Sequence, residues 1–274
     1  MKKVFASIFC SALSVCAFAL NPVREYAVTP EEFGIEYEQL KIMTEDGVGL
    51  NAWWFKPQNK SGNKAITIAD DGDGNMADNI EIITKFTSLG YHVMAFDYRG
   101  YGKSDDFKIN PKMICYPQFE KDVKAVLDFV KKNHASMSSN LYGKGMGASL
   151  LLAAAANRTD VRKVIADTPF LKLETYKAAV KAKRGEDLIV PIGYNKFFME
   201  PFFALTEKGA HLYGILLISG ETDDVITPDN MKELSKLRKE ITTYKMIKGV
   251  GAADTYNNDK DAYFEIIKAF LEAK

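Results

Sequence analysis

In Leu141-Tyr-Gly-Lys-Gly-Met-Gly-Ala-Ser-Leu-Leu-Leu152, glycines stand at 143, 145 and 147 and an apolar helical run follows. Two chemistries fit that spacing. As Gly143-x-Gly145-x-x-Ala148 it is a backbone cradle for a dinucleotide, with Asp167 about where a ribose-binding acid would lie. As a G-x-S-x-G turn, which presents a nucleophile between a strand and a helix, it has Gly145 where the serine should be. The first chemistry belongs to a nucleotide-binding protein and the second to a hydrolase-like one.

Other reactive residue types are sparse. Of three cysteines, Cys10 and Cys16 fall in the N-terminal leader described below, and Cys115 sits in Ile-Cys-Tyr-Pro without a neighbouring base or cation, so it reads as a small packed residue. The three histidines are His92 within a strand, His134 at a helix end and His211 just before a strand, none on a turn suited to catalysis. Ser149, four residues past Gly145, faces the same side of the helix one turn farther in, where burial is expected. Asp70, Asp71 and Asp73, with Asp223 and Asp224, could gather at one mouth and hold a hard cation such as calcium. Asp71-x-Asp73-x-Asn75 lacks the glycine that follows in an EF-hand loop and has Ile82 in place of its glutamate, so a solvated, helix-capping acidic turn is the reading adopted. Gly102-Lys103-Ser104 is no P-loop, since Asp97 occupies the earlier glycine position.

These residues need a scaffold, and the apolar runs supply one. Tyr37 to Met43 and Val48 to Phe55 flank the hairpin turn Glu45-Asp46-Gly47; Ala65–Ala69, His92–Phe96, Asn140–Tyr142, Val161–Ala166, Gly214–Ser219 and Thr243–Ile247 complete eight strands. Helical patterns lie between the later ones, among them Phe119, Val123, Val126, Leu127 and Val130, and Phe264, Ile267, Phe270 and Leu271. Strands alternating with helices predict a mostly parallel sheet covered on both faces, and 274 residues suit one such domain, here 20–274. Between Phe170 and Leu212 lie roughly forty residues where a crossover needs about a dozen. An inserted cap is expected over about 170–212, its aromatics Tyr176, Tyr194, Phe197, Phe198, Phe202 and Phe203 forming the cap core or lining a pocket beneath it.

Residues 1–19 read as an export signal: Lys2 and Lys3, an apolar run from Val4 to Leu13 too short to span a bilayer, then Ala17-Phe18-Ala19 for cleavage. Leu13-Ser-Val-Cys16 also resembles a lipoprotein box, with Val15 large for its place, which makes lipid anchoring at Cys16 the alternative to a secreted or periplasmic protein. Basic and acidic residues number 36 each, and nothing in their distribution points to nucleic acid or anionic lipid.

Tyr91-His-Val-Met-Ala-Phe-Asp-Tyr-Arg-Gly-Tyr-Gly-Lys-Ser104 resembles the fourth strand and following turn of α/β-hydrolases of the serine esterase and S33 aminopeptidase type. The resemblance runs from about Tyr37 to the C-terminus and implies an α/β-hydrolase fold, with an eight-stranded mostly parallel sheet, helices on both faces and a small helical cap. It makes Ser104 a supporting turn residue and puts Gly145 at the nucleophile position, with Met146 giving one oxyanion amide. Ala69-Asp-Asp-Gly-Asp-Gly-Asn75 stands where the family carries His-Gly, so the second oxyanion amide is that of Asp73. Ile218-Ser-Gly-Glu-Thr-Asp-Asp-Val-Ile-Thr-Pro228 resembles the acid turn, with Asp223 as the acid, and Lys248-Gly-Val-Gly-Ala-Ala-Asp254 resembles the histidine turn, with Ala252 in place of the histidine.

Chain order favours this reading over a dinucleotide domain, whose glycine loop follows the first strand of its unit, not the fifth. Of the nucleophile, base and acid that a triad needs, only the acid is left, and Asp223 without an imidazole reads as a turn residue capping the next helix. The expectation is an exported, non-catalytic member that holds a small molecule or protein ligand in a capped pocket, with no cofactor, metal, nucleic acid or stable membrane span. The alternatives are an active hydrolase using displaced residues on small esters or amides, and nucleotide binding through Gly143 to Ala148.

Overall fold

A computed structural model describes residues 20–58 and 62–273, so the expected leader and Cys16 lie outside the described residues. Eight strands form one sheet: β1 Tyr37–Met43, β2 Gly49–Phe55, β3 Lys64–Ala69, β4 His92–Phe96, β5 Ser138–Lys144, β6 Val161–Asp167, β7 Gly214–Gly220 and β8 Thr242–Ile247. Their spatial order is β1-β2-β4-β3-β5-β6-β7-β8, antiparallel at β1–β2 and β2–β4 and parallel from there on. Each apolar run read as a strand is one. β5 extends past its run at both ends, because its hydrogen bonding to β3 continues from Ser138 to Gly143.

Helices α1 Ile80–Ser88 and α8 Lys260–Glu272 cover one face, and α2 Pro117–Asn133, α3 Gly145–Ala156 and α7 Pro228–Leu237 the other. Period-two alternation along each strand divides the core. Ile66, Ile68, Val93, Ala95, Leu216 and Ile218 join the layer under α1 and α8, while their neighbours Ala65, Ala69, Met94, Phe96, Ile215 and Leu217 join the layer under α2, α3 and α7. Trp53 and Trp54, adjacent on β2, thus lie on opposite faces, and Trp54 stacks on His134 at a ring-centroid distance of 4.1 Å and on His92 at 5.3 Å.

The segment between β6 and β7 is helical and divides in two. α4 Leu173–Arg184 faces the turn after β7, whereas α5 Lys196–Met199 and α6 Pro201–Glu207 pack against α3. α3 is apolar all round because it is covered all round, by β5 and β6 on one side and by α2, α5 and α6 on the other. Among the described residues, no helix is long and apolar enough to cross a membrane.

Candidate functional site

β5 passes into α3 with no loop between Lys144 and Gly145. So sharp a turn forces its apex into the left-handed region, and Gly145 has φ +49°, where a Cβ costs about 1–2 kcal/mol. The flanking glycines serve close approach: a methyl group would lie 2.6 Å from the Ala148 amide nitrogen if built on Gly143, and 2.5 Å from the Ala69 carbonyl oxygen if built on Gly147. These two glycines let the strand and the helix pack closely. Asp167 is no ribose ligand; it is fully buried, and its Oδ2 accepts from Thr255 Oγ1 at 2.7 Å and from the Tyr263 hydroxyl at 2.9 Å. The role that the nucleotide reading gave to Asp167 is corrected.

A side chain at Gly145 would meet Asp71, whose Cβ lies 3.0 Å from the place of the missing Cβ. Asp71 also engages the amide assigned to the oxyanion, its Oδ1 accepting from Asp73 N at 3.0 Å. Asp70 accepts from Gly72 N at 3.1 Å and from Asn79 Nδ2 at 2.8 Å, and burial together with the charge of Asp71 holds it well above the usual carboxylate range. Met146 is buried, its Cε beside the Leu20 side chain at the place a Cβ on Gly72 would occupy. Sequence reasoning put Asp71 at this mouth but missed its packing against Gly145, and it missed Leu20 altogether, which no local motif marks.

On the acid turn, Asp223 Oδ1 accepts from Val225 N at 3.0 Å and Ile226 N at 2.9 Å, while Oδ2 is buried with no hydrogen-bond partner. Burial raises its pKa against the pull of those two amides. Asp223 therefore ties its own turn and not the next helix; α7 is capped by Thr227, whose Oγ1 accepts from Asn230 N at 3.3 Å. Thr222 N donates to Val250 O at 2.9 Å, which joins this turn to the one that follows β8, where Ala252 opens the 3-10 helix Ala252–Asp254. Thr255, next along, reaches Asp167 at the end of β6, and Asp167 is registered against Lys144. Gly145, Asp223 and Ala252 thus lie on neighbouring turns of one sheet edge.

No imidazole stands on these turns among the described residues. His92 and His134 flank Trp54, and His211 Nε2 lies 3.1 Å from Ala155 O. Ser149 is fully buried and donates to Gly145 O at 3.0 Å, and Cys115 is fully buried, which pushes its thiol pKa up. Ser104 holds the turn after β4, donating to Asp97 O at 2.7 Å and accepting from Asn51 N at 2.8 Å. The acidic residues do not converge as expected: Asp224 turns to Arg184 at 2.6 Å, and no group of three or more His, Cys, Asp or Glu among the described residues is placed to hold a metal.

A pocket of about 210 Å³ lies between α4 and the acid turn. Of the six aromatics expected in the insertion, Tyr176 lines it, together with Phe170. Phe197, Phe202 and Phe203 instead pack on one another, with the ammonium groups of Lys172 and Lys196 over their rings.

A sheet of this order and a strand-to-helix elbow at its fifth strand, followed in sequence by an acid turn and a further edge turn, make up the α/β-hydrolase fold. Residues 74–193 match the family described as serine aminopeptidase, S33. Over 269 residues the chain is 23% identical to the α/β hydrolase domain-containing protein WAV2 of Arabidopsis thaliana, covering 91% of this chain and 83% of that protein. It is 25% identical over 228 residues to the lysophosphatidylserine lipase ABHD12 of Bos taurus, covering 76% of this chain and 54% of the lipase. An esterase from Pyrococcus furiosus superposes with a TM-score of 0.73 at 22% identity, over 93% of this chain and 97% of that one.

Proposed function

We propose that this is an exported α/β-hydrolase-fold protein that binds a ligand or partner at the site where its catalytic relatives react, without itself catalysing hydrolysis. One observation carries the reading: where a nucleophile's side chain would project from the elbow there is no side chain, and the backbone and Cβ of Asp71 close the space beside Gly145. The orphaned Oδ2 of Asp223 supports it, since in a working triad a carboxylate holds an imidazole, and the nearby turn offers the methyl group of Ala252. Export rests on the charge, apolar run and small residues of Met1 to Ala19.

The names of the lipase and esterase relatives favour a second reading, hydrolysis of small esters by displaced residues. A fluorophosphonate probe and initial-rate hydrolysis of 4-nitrophenyl acetate separate the two. The purified full chain is expected to resist labelling and to hydrolyse the ester no faster than buffer; covalent labelling of any hydroxyl would overturn the non-catalytic reading.

A further inference from the structure

Leu20 is 2% exposed, although it lies at the border of the described residues. One of its methyl groups rests 2.9 Å from where a Cβ on Gly72 would stand, and Met146 Cε approaches the same point at 3.1 Å. That corner is the one assigned above to the oxyanion amides. The six residues after Leu20 then run across the sheet edge, Asn21–Pro22 as a short strand and Glu25 at a bend, making backbone and side-chain bonds along the way.

Asn21–Pro22 pairs in parallel with Asp73–Gly74, through Asn21 N to Gly72 O at 2.9 Å and Val23 N to Gly74 O at 3.0 Å. Alternate residues donate, so Pro22, which has no N–H, falls at the one position that needs none. On the other side the Val23 carbonyl accepts from Gly102 N at 3.0 Å and from Asn75 Nδ2 at 3.2 Å. The side chains are read as well: Asn21 Nδ2 donates to Asp73 Oδ1 at 2.8 Å, Arg24 donates to the carbonyls of Ser104 at 2.8 Å and Tyr101 at 3.3 Å, and the Tyr26 hydroxyl donates to Asp97 and accepts from Asn51 Nδ2 at 2.7 Å. Every receiving group lies on the Asp70–Asn75 turn, on the turn following β4, or on β2.

We propose that the vestigial reaction site is a peptide-binding site whose resident ligand is residues 20–26 of this chain, a segment led by a branched apolar side chain and held by strand addition at Asn21–Pro22. The apolar side chain fills the oxyanion corner, the backbone pairs with the Asp73–Gly74 strand, and an asparagine, an arginine and a tyrosine at the second, fifth and seventh positions find hydrogen-bonding partners. The class of ligand that could take the segment's place is therefore another peptide with a leucine-like leading residue. This rests on reading the pocket as a binding site and not as a reaction centre. The two can fail separately, because hydrolysis by the wild type would overturn the non-catalytic reading and leave the occupancy of the corner as measured.

Two measurements on the full chain decide it. Hydrogen exchange of the wild type should show the amides of Asn21 and Val23 slowed by about a hundredfold or more relative to an unstructured peptide; exchange at the unstructured rate overturns the proposal, whatever any variant does. A fluorescent synthetic peptide of residues 20–29 is then titrated into the wild type and into Leu20→Asp, whose charge cannot be buried beside Asp70 and Asp71. The resident segment competes with the added peptide, so Leu20→Asp should bind it at least about tenfold more tightly than the wild type, and a peptide carrying Leu20→Asp should bind neither chain. Equal affinity of the peptide for both chains, absence of binding to Leu20→Asp, or equal binding of the two peptides overturns it.

Discussion

Asp167→Asn tests whether the buried carboxylate at the end of β6 costs what its surroundings imply. Asp167 has no exposure; two hydroxyls donate to Oδ2 and Oδ1 has no hydrogen-bond partner. Burial raises its pKa from 3.8 to about 6, against the charge of Lys144 and the hydroxyls of Thr255 and Tyr263. The folded protein thus holds this proton more tightly than the unfolded chain. The resulting stability is full below about pH 4 and is lost as pH rises through about 6. Some two pKa units at 1.36 kcal/mol each put the loss at about 3 kcal/mol, of which about 2 kcal/mol develops between pH 4.5 and 7.5. Asparagine keeps an acceptor for both hydroxyls and cannot ionise, while its NH2 takes the partnerless position at a pH-independent cost of roughly 1–2 kcal/mol. Urea unfolding of both proteins at the two pH values is the assay. The stability difference should move by about 2 kcal/mol in the variant's favour from the lower pH to the higher; a difference that does not change with pH refutes the argument.

Gly145→Ala should destabilise by about 1–2 kcal/mol through its positive φ alone, and its contact with Asp71 adds to that; an unchanged midpoint in thermal unfolding would mean that the elbow is relaxed. Gly145→Ser with Ala252→His should give weak 4-nitrophenyl acetate hydrolysis that exceeds the product of the single variants by about tenfold, since triad members act as a unit. Adding Asp71→Gly removes the Cβ that crowds residue 145 and frees the Asp73 amide, so the triple variant should be faster than the double; a triple no faster than the double would show that Asp71 is not the obstruction. Mass spectrometry of the protein recovered from the secretory fraction should find Leu20 at its N-terminus, and an intact Met1 or a lipid on Cys16 would contradict export by cleavage after Ala19.

The parts of the fold legible in the sequence are those that repeat a local rule. β3, β4 and β7 are short apolar runs with punctuation at both ends, and the elbow shows itself because its glycines alternate before a helical run. The acid turn is legible through its resemblance to the family's, but the role of Asp223 is not: a carboxylate near a helix start is compatible with capping, and only geometry shows Thr227 taking the cap while Asp223 binds two amides of its own turn. Asp71 against Gly145 and Leu20 against Gly72 are contacts between residues far apart in the chain, with no periodicity to announce them. Residues 20–26 contain no alternation at all, because their bonds go to whichever groups the sheet edge presents. The inserted segment divided for a similar reason: an apolar α3 needs cover on its outer side, and α5 and α6 supply it.

The neighbours Trp53 and Trp54 are the only tryptophans in the chain, and the pleat of β2 sends one into each layer of the core. A single strand therefore carries a separate optical reporter for each half of the molecule. Trp53→Phe leaves emission from the layer beneath α2, α3 and α7, where the overlying ring of His134 will quench it on protonation; Trp54→Phe leaves emission from the layer beneath α1 and α8. If the two single-tryptophan chains unfold at one midpoint, the sheet and its coverings come apart as one unit. Two midpoints would mean that the helices on one face are shed while the other face still holds.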